Sequence, residues 1–155
     1  MIEYEKRGYL LENFRLFHLH TPQGAKVDYH YHDFYKILFF RSGAGDYIVE
    51  GQRYRLQPGD IVLVGSRCVH RPEIEEGQPY ERVILYIDPG YLQSSSTEAC
   101  QLAEIFQGGA VLRLREKHGA ASGVSVRRKL RNIALPLALA EMEASFVVLH
   151  STSFL

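Results

Sequence analysis

The sequence predicts a mainly β fold, a sandwich or a barrel, followed by helices at the carboxyl end. Short runs rich in Tyr, Phe, Val, Ile and Leu recur through residues 1–93, and Gly, Pro and Asp separate them. Strands at such regular spacing, with turn signals between them, are typical of sandwiches and barrels. Beyond residue 93, the apolar residues recur at helical spacing instead.

The predicted strands are separated by turn-forming residues. The segments TPQG at 21–24, PGD at 58–60 and DPG at 88–90 each interrupt an apolar run. A last short strand is predicted at 111–114. The other predicted strands cover residues 14–20, 29–41, 46–49, 54–56, 61–64 and 80–87.

Residues 94–155 predict a helical appendage with an irregular end. Ser95 and Glu98 have the spacing of a capping box, so a helix is expected to begin there. A second helix is expected from Val126 onward, and Pro136 should interrupt it. The apolar helical positions should pack on the barrel or on a partner subunit, and they are Leu102, Phe106, Leu130, Ile133 and Leu137.

The bulk composition narrows the function. The 155 residues suit one domain, and the 18 basic and 18 acidic side chains cancel, which argues against an autonomous nucleic-acid binder. Two isolated cysteines, Cys68 and Cys100, fit a reducing cytosol. The charged amino terminus and the absence of long apolar runs predict a cytoplasmic protein with no membrane partner.

The most informative polar residues are a spaced histidine pair and the residues that follow it. His30 and His32 lie at alternate positions of a predicted strand, so their side chains should share one face, and Lys36 should lie on that face too. His70 follows after the turn at 57–60. These side chains are candidates for a ligand pocket.

The chain resembles a known family at these residues. The HxH pair, the PGD turn and the later histidine resemble the double motif of cupins, and the wider pattern resembles the sensor domain of bacterial AraC-type transcription regulators. The resemblance rests on HYHDFYK at 30–36, RSG at 41–43, YIVEG at 47–51, LQPGDIVLV at 56–64, VH at 69–70, YER at 80–82 and DPGYL at 88–92.

This resemblance implies a cupin-like jelly-roll barrel over residues 1–93, which closes over a small effector, and a helical dimerisation appendage over 94–155. In the family, helix-turn-helix motifs follow and read DNA, and the resemblance implies none within residues 1–155. We therefore expect an effector-sensing, homodimeric domain of an AraC-family regulator that would contact DNA only through a missing carboxyl-terminal domain. The alternative is a stand-alone metal-dependent cupin enzyme, an oxygenase or an isomerase.

Metal binding is the open question of the predicted site. In metal-binding cupins, the positions of His30, His32 and His70 supply three ligands, and a Glu supplies the fourth. Lys36 stands at that fourth position, and an ammonium group repels a divalent cation. Three hypotheses therefore remain: a polar ligand pocket, hydrogen-bonded barrel histidines, or a divalent metal site. No cofactor and no catalytic residue is predicted beyond that possible metal.

The last long strand completes the predicted site. Glu81 matches a position at which arabinose-sensing members contact the sugar, so its face, which includes Val83, is expected to point inward. Glu81 could then pair with Lys36 and help to bind a sugar-like molecule or a hydroxy acid. The predicted ligand-binding residues are His30, His32, Lys36, His70, Glu81 and Val83.

Overall fold

The computed structural model describes residues 3–24, 26–107 and 110–113. This part of the chain is mainly β, as the sequence predicts. It contains a helix α1 (Pro89–Ser94) and a 3₁₀ helix (Leu102–Phe106). The strands are β1 (Glu5–Lys6), β2 (Phe14–Thr21), β3 (His30–Tyr31), β4 (Tyr35–Ser42), β5 (Gly45–Val49), β6 (Gln52–Arg55), β7 (Ile61–Val64), β8 (His70–Ile74), β9 (Tyr80–Ile87) and β10 (Val111–Leu112).

Two five-stranded sheets enclose the main core. One has the order β1-β3-β8-β5-β6 and the other has the order β10-β7-β4-β9-β2. The core draws Leu38 and Phe40 from the second sheet and Tyr47, Val49 and Ile74 from the first. Because one continuous cluster joins both sheets, their facing surfaces form the interior of a barrel.

A second apolar cluster lies on the other face of the second sheet. Alternate side chains of a strand point to opposite faces, so Ile37 of β4 and Ile87 of β9 point away from the barrel interior. They pack there against Leu92 of α1 and against Leu102 and Ile105 of the 3₁₀ helix. The short helices therefore cover one face of the barrel.

The helix following β9 begins earlier than the capping-box pattern predicts. Asp88 caps α1 by accepting a hydrogen bond from the Tyr91 amide at 2.9 Å, and Pro89 fits the first turn. Ser95 is the C-cap of this helix, so the expected helix start at Ser95 and Glu98 is wrong. The aspartate-proline pair supplies both an N-cap and a preset backbone angle, and it determines the helix start.

The region after α1 packs on the barrel. Leu102 is 2% exposed, and the Phe106 ring lies 4.5 Å from the Tyr35 ring between centroids. Of the two alternatives for these positions, the structure therefore shows packing on the barrel. The strand predicted near residue 111 is confirmed as β10, which pairs with β7. The other predicted appendage residues, Leu130, Ile133 and Leu137, lie outside the described part of the chain.

The short helices carry no membrane signal. Within the residues that the structure describes, neither helix is long and apolar enough to cross a bilayer.

Candidate functional site

Strand pairing brings the three predicted histidines together. His30 of β3 is the register partner of His70 of β8, and His32 follows β3 directly. The ring centroids are 4.4 Å apart for His30 and His70, 4.6 Å for His32 and His70, and 6.3 Å for His30 and His32. The structure therefore brings the three histidine side chains together, as the sequence predicts.

Each of the three imidazoles is fixed by a backbone carbonyl. The Nδ1 atom of His30 donates to the Asp28 carbonyl at 2.8 Å. The Nδ1 atom of His32 donates to the Phe34 carbonyl at 2.9 Å, and that of His70 donates to the Cys68 carbonyl at 3.0 Å. A carbonyl can only accept, so the proton of each neutral ring lies on Nδ1. The Nε2 atom of each ring is then an acceptor.

Two of these acceptors are buried without a partner. In the described part of the chain, neither the Nε2 atom of His32 nor that of His70 has a hydrogen-bond partner, and these residues are 2% and 0% exposed. A buried polar atom left unpaired costs about 1–3 kcal/mol. The site therefore presents acceptor atoms that a bound molecule with hydroxyl or amine donors could satisfy.

Burial keeps the imidazoles neutral. Burial, with a smaller contribution from the nearby Lys36 charge, lowers the pKa of His70 to about 2 and the pKa of His32 to about 4. Burial also lowers the pKa of His30. At neutral pH, the three rings are therefore uncharged.

Lys36 lies beside the histidines and inside the barrel. The residue is 7% exposed, and its Nζ atom donates to the Tyr47 hydroxyl at 2.9 Å. The Tyr47 ring in turn stacks on His70, with centroids 6.0 Å apart and planes 9° apart. Burial and, to a smaller extent, the positive charge of Arg82 lower the pKa of Lys36 to about 7. Burial also raises the pKa of Tyr47 well above its ordinary range.

The predicted pair between Lys36 and Glu81 is wrong. Glu81 lies on the outer side, where the Nε2 atom of His18 donates to it at 2.8 Å. Its neighbours on that strand face, Leu85 and Ile87, pack in the cluster under the helices. Since strand side chains alternate, Val83 shares this outward face. Glu81 and Val83 are therefore removed from the candidate site.

The inward face of β9 carries a different cation, which sequence reasoning missed. Tyr80 and Ile84 belong to the barrel core, so Arg82 between them faces the interior as well. Arg82 donates from Nη1 to the Thr21 hydroxyl at 2.7 Å and to the Tyr80 carbonyl at 3.0 Å. Burial lowers the pKa of Arg82. The sequence carried no signal for this choice, because both alternating sets of side chains along β9 contain apolar residues.

An open cavity lies beside the histidine end of the barrel. It has a volume of about 720 Å³ and is lined by Glu3, Tyr4, Lys6, Tyr31, Asp33, Arg67 and Val69. Tyr31 and Asp33 are the chain neighbours of the two histidines of β3, and Lys6 pairs with Asp33 at 2.6 Å. The amino-terminal segment therefore borders this cavity, whose lining includes none of the three histidines.

The residues do not form a metal centre in this arrangement. Neutral imidazoles with free Nε2 atoms have the right donor chemistry. Across residues 3–24, 26–107 and 110–113, however, no three His, Cys, Asp or Glu side chains are placed so that they could hold a metal ion. The fourth cupin ligand position is occupied by Lys36, whose amine donates to Tyr47.

Comparison with known proteins adds a family match. A family model described as the AraC-like ligand binding domain matches residues 13–144. None of the curated proteins matches this chain.

Several solved structures are similar to this chain at low identity. One is a cupin protein from Bacteroides fragilis, with 21% identity, a TM-score of 0.45, and coverage of 58% of this chain and 88% of that one. Another is an RmlC-like cupin family protein from Methanocaldococcus jannaschii, with 21% identity, a TM-score of 0.42, and coverage of 48% and 70%. A third is a predicted oxalate decarboxylase from Thermotoga maritima, with 22% identity, a TM-score of 0.44, and coverage of 48% and 67%. Similarity at this level carries neither substrate nor activity to this chain.

Acid should destabilise the protein through the buried imidazoles. The ordinary histidine pKa is 6.5, whereas His70 and His32 stay neutral in the folded state well below it. As the pH falls, the unfolded chain therefore takes up these protons first, and the free energy of unfolding decreases. We expect a loss of about 2.7 kcal/mol between about pH 7.5 and pH 5.5, because each of the two groups contributes roughly 1.4 kcal/mol across this window.

Urea unfolding at several pH values, in the presence of a chelator, measures this loss. His70→Asn should remove about half of the pH dependence, whereas His20→Asn, at an exposed position of β2, should leave it unchanged. An equal pH dependence in His70→Asn and in the parent protein would show that His70 is not held neutral.

Replacing Lys36 with an apolar side chain should stabilise the fold. The unfolded lysine has its ordinary pKa of 10.5, whereas burial lowers the folded pKa to about 7, so folding at neutral pH disfavours the charged amine. Lys36→Met removes this cost and loses one hydrogen bond to Tyr47, and we expect a net gain of about 2 kcal/mol at neutral pH. The gain should shrink as the pH approaches the ordinary lysine value. A Lys36→Met variant that unfolds at lower urea than the parent would contradict this account.

Proposed function

The chain belongs to the AraC-like ligand binding domain family, and we propose that its barrel binds a small polar effector as the sensing part of a transcription regulator. One observation carries the proposal: a cluster of hydrogen-bonding side chains lies inside an otherwise apolar barrel, with two buried acceptor atoms unpaired. A sensing site of this kind needs binding groups and has no need of a catalytic residue.

The cluster is suited to recognising hydroxyl groups. The Nε2 atoms of His32 and His70 accept hydrogen bonds, while the Lys36 amine and the Tyr47 hydroxyl donate them. The carbonyls that hold the Nδ1 atoms fix the imidazole orientations before a ligand arrives, which lowers the entropic cost of binding. Sugar-like molecules and hydroxy acids match this mixture of donors and acceptors.

The effector-binding residues of the proposal differ in part from the sequence prediction. His30, His32, Lys36 and His70 remain, because the structure brings them together. Glu81 and Val83 leave the set because they face outward. Tyr47 joins it through its contact with Lys36.

The signal could leave the site through the amino-terminal segment. Strand β1 pairs with β3 so that Glu5 is opposite His30, and the Arg7 amide donates to the Tyr31 carbonyl at 2.8 Å. An effector that binds better to one position of His30 than to another would shift the population of β1 arrangements. Homodimerisation, and contact with DNA through a further domain, remain predictions of the family resemblance.

Ligand-induced stabilisation tests the proposed function. The melting temperature of the protein is measured with a panel of sugars, polyols and hydroxy acids, and we expect at least one of them to raise it. At a hundredfold excess over Kd, the bound compound should add about 2.7 kcal/mol to the free energy of unfolding. His32→Asn should weaken that binding about tenfold or more, because it removes an acceptor.

A matched control pair exists on the same protein. His18 and His20 alternate on the edge strand β2, outside the barrel, in the same His-x-His spacing. His20→Asn should bind the hit with the affinity of the parent protein. A ligand that binds equally well to the parent, to His32→Asn and to His20→Asn would place the binding site elsewhere.

The metal-dependent enzyme is the second candidate, because the three Nδ1 contacts leave Nε2 lone pairs with the donor chemistry of metal ligands. The described side chains would have to move closer together to hold an ion. Elemental mass spectrometry of tag-free protein, purified without chelator, decides between the two candidates. The sensor proposal expects less than about a tenth of an equivalent of iron, zinc or manganese. One equivalent that is lost in His30→Ala would favour the enzyme.

A further inference from the structure

We propose that the edge of β2 that faces away from β9 pairs with β2 of a second copy of this chain. The two strands would run antiparallel, so that the second sheet continues across a twofold axis. This interface goes beyond effector binding, because the edge lies outside the barrel and contains none of the residues of the histidine site.

The backbone of β2 directs hydrogen-bonding groups away from the sheet. In the described part of the chain, β2 pairs with β9 and with no other strand. At the end of this pair, the Asp88 amide donates to the Asn13 carbonyl at 2.9 Å. Because hydrogen-bonded pairs alternate along antiparallel strands, the odd residues of β2 bond to β9 and the even ones direct their amides and carbonyls outward. The outward groups belong to Phe14, Leu16, His18 and His20.

The other three sheet edges of the described residues are protected, whereas β2 is not. Strands β1 and β10 have two residues each, and β6 has four, of which Arg53 and Arg55 are charged. Short or charged edge strands are a common protection against pairing with another chain. Strand β2 has eight residues, no proline and one arginine, Arg15. An edge of this length and low charge is one to which a further strand can add.

Exposed apolar side chains are concentrated in and before β2. Leu16 of this strand is 48% exposed, and Tyr9 and Leu11, which precede it, are 77% and 93% exposed. With Tyr4, these are all the large apolar side chains that the described residues leave exposed, and they lie within residues 4–16. Concentrated apolar exposure of this kind marks an interaction surface.

The sequence of β2 is suited to pairing with itself. When Phe17 of one copy is opposite Phe17 of the other, residues 14–20 of both copies overlap, and the outward backbone groups form the hydrogen-bonded pairs. Arg15 of one copy is then opposite Leu19 of the other, so the arginines do not meet. The two Phe17 rings form a cross-strand aromatic pair at the twofold axis, which stabilises such a sheet.

A second copy suits this edge better than the remainder of the same chain. The sequence predicts a helix from Val126 onward, and a helix uses its backbone groups internally, so it cannot bond to a strand edge. The 18 basic and 18 acidic side chains cancel, so no net charge repels one copy from another.

Sedimentation of the full chain over about 1 to about 100 µM measures the association. We expect a monomer–dimer equilibrium in which at least about half of the chains are dimeric at the upper concentration. His18→Pro removes one outward amide, and proline is tolerated at an edge position whose amide does not bond within the sheet. It should raise the dissociation constant of the dimer at least about tenfold.

His18→Val is the matched control for this variant. It loses the same imidazole and retains the backbone amide, so it should dimerise like the parent protein. Thermal unfolding of both variants at low concentration shows whether they are folded.

Amide hydrogen exchange tests the same edge in the native sequence and requires no variant. The outward amides of Leu16 and His18 should exchange fast in dilute protein and at least about tenfold more slowly in the dimer. The amides of Arg15 and Phe17, which bond to β9, should exchange slowly at both concentrations.

Three outcomes would overturn the proposal. A chain that stays monomeric at about 100 µM does not pair through β2 at a relevant strength. A dimer that is equally stable in His18→Pro and in His18→Val uses another surface. Slow exchange of the Leu16 and His18 amides at every concentration would show that a segment of the same chain covers the edge.

Discussion

The alternation of side chains along β4 is the constraint on which the rest of the molecule depends. This strand lies in the middle of the second sheet and pairs with both β7 and β9. One set of its side chains, with Lys36, Leu38 and Phe40, enters the barrel, and the other, with Ile37, meets the short helices. A shift of one residue would move the Lys36 amine under the short helices and Ile37 into the barrel interior. Both apolar clusters therefore fix the pairing register of β4.

The same alternation explains why the site is costly to the fold and well defined. Neutral imidazoles and a lysine of lowered pKa replace apolar side chains at one end of the barrel interior. Arg82 lies four residues further along the β4–β9 pair, where it donates to Thr21 and Tyr80. These polar groups contribute little hydrophobic stabilisation, so the stability of the fold depends on the two apolar clusters. Functional sites commonly depart from the local rules that the surrounding structure obeys.

The sequence could predict much of this arrangement because short-range patterns determine it. Period-two apolar runs and turn residues identified the barrel strands, and the spacing of His30 and His32 placed both on one face. The inward face of β9 could not be predicted in this way, because both of its faces carry apolar residues. Only the packing of Leu85 and Ile87 against the helices distinguishes the outward face of β9 from the inward face. The helix start was missed because Asp88 with Pro89 competes with a capping box a few residues later, and tertiary packing of Leu92 favours the earlier start.

The fixed imidazole protons have a spectroscopic consequence. A ring N–H that donates to a backbone carbonyl inside a barrel exchanges slowly with solvent, so the Nδ1 protons of His32 and His70 should be visible by proton NMR as resolved downfield resonances. The nitrogen shift of the opposite Nε2 atom reports whether that atom is free, hydrogen-bonded or bound to a metal. The histidine resonances therefore report the occupancy of the site in the native chain, and no fluorophore or engineered probe is needed.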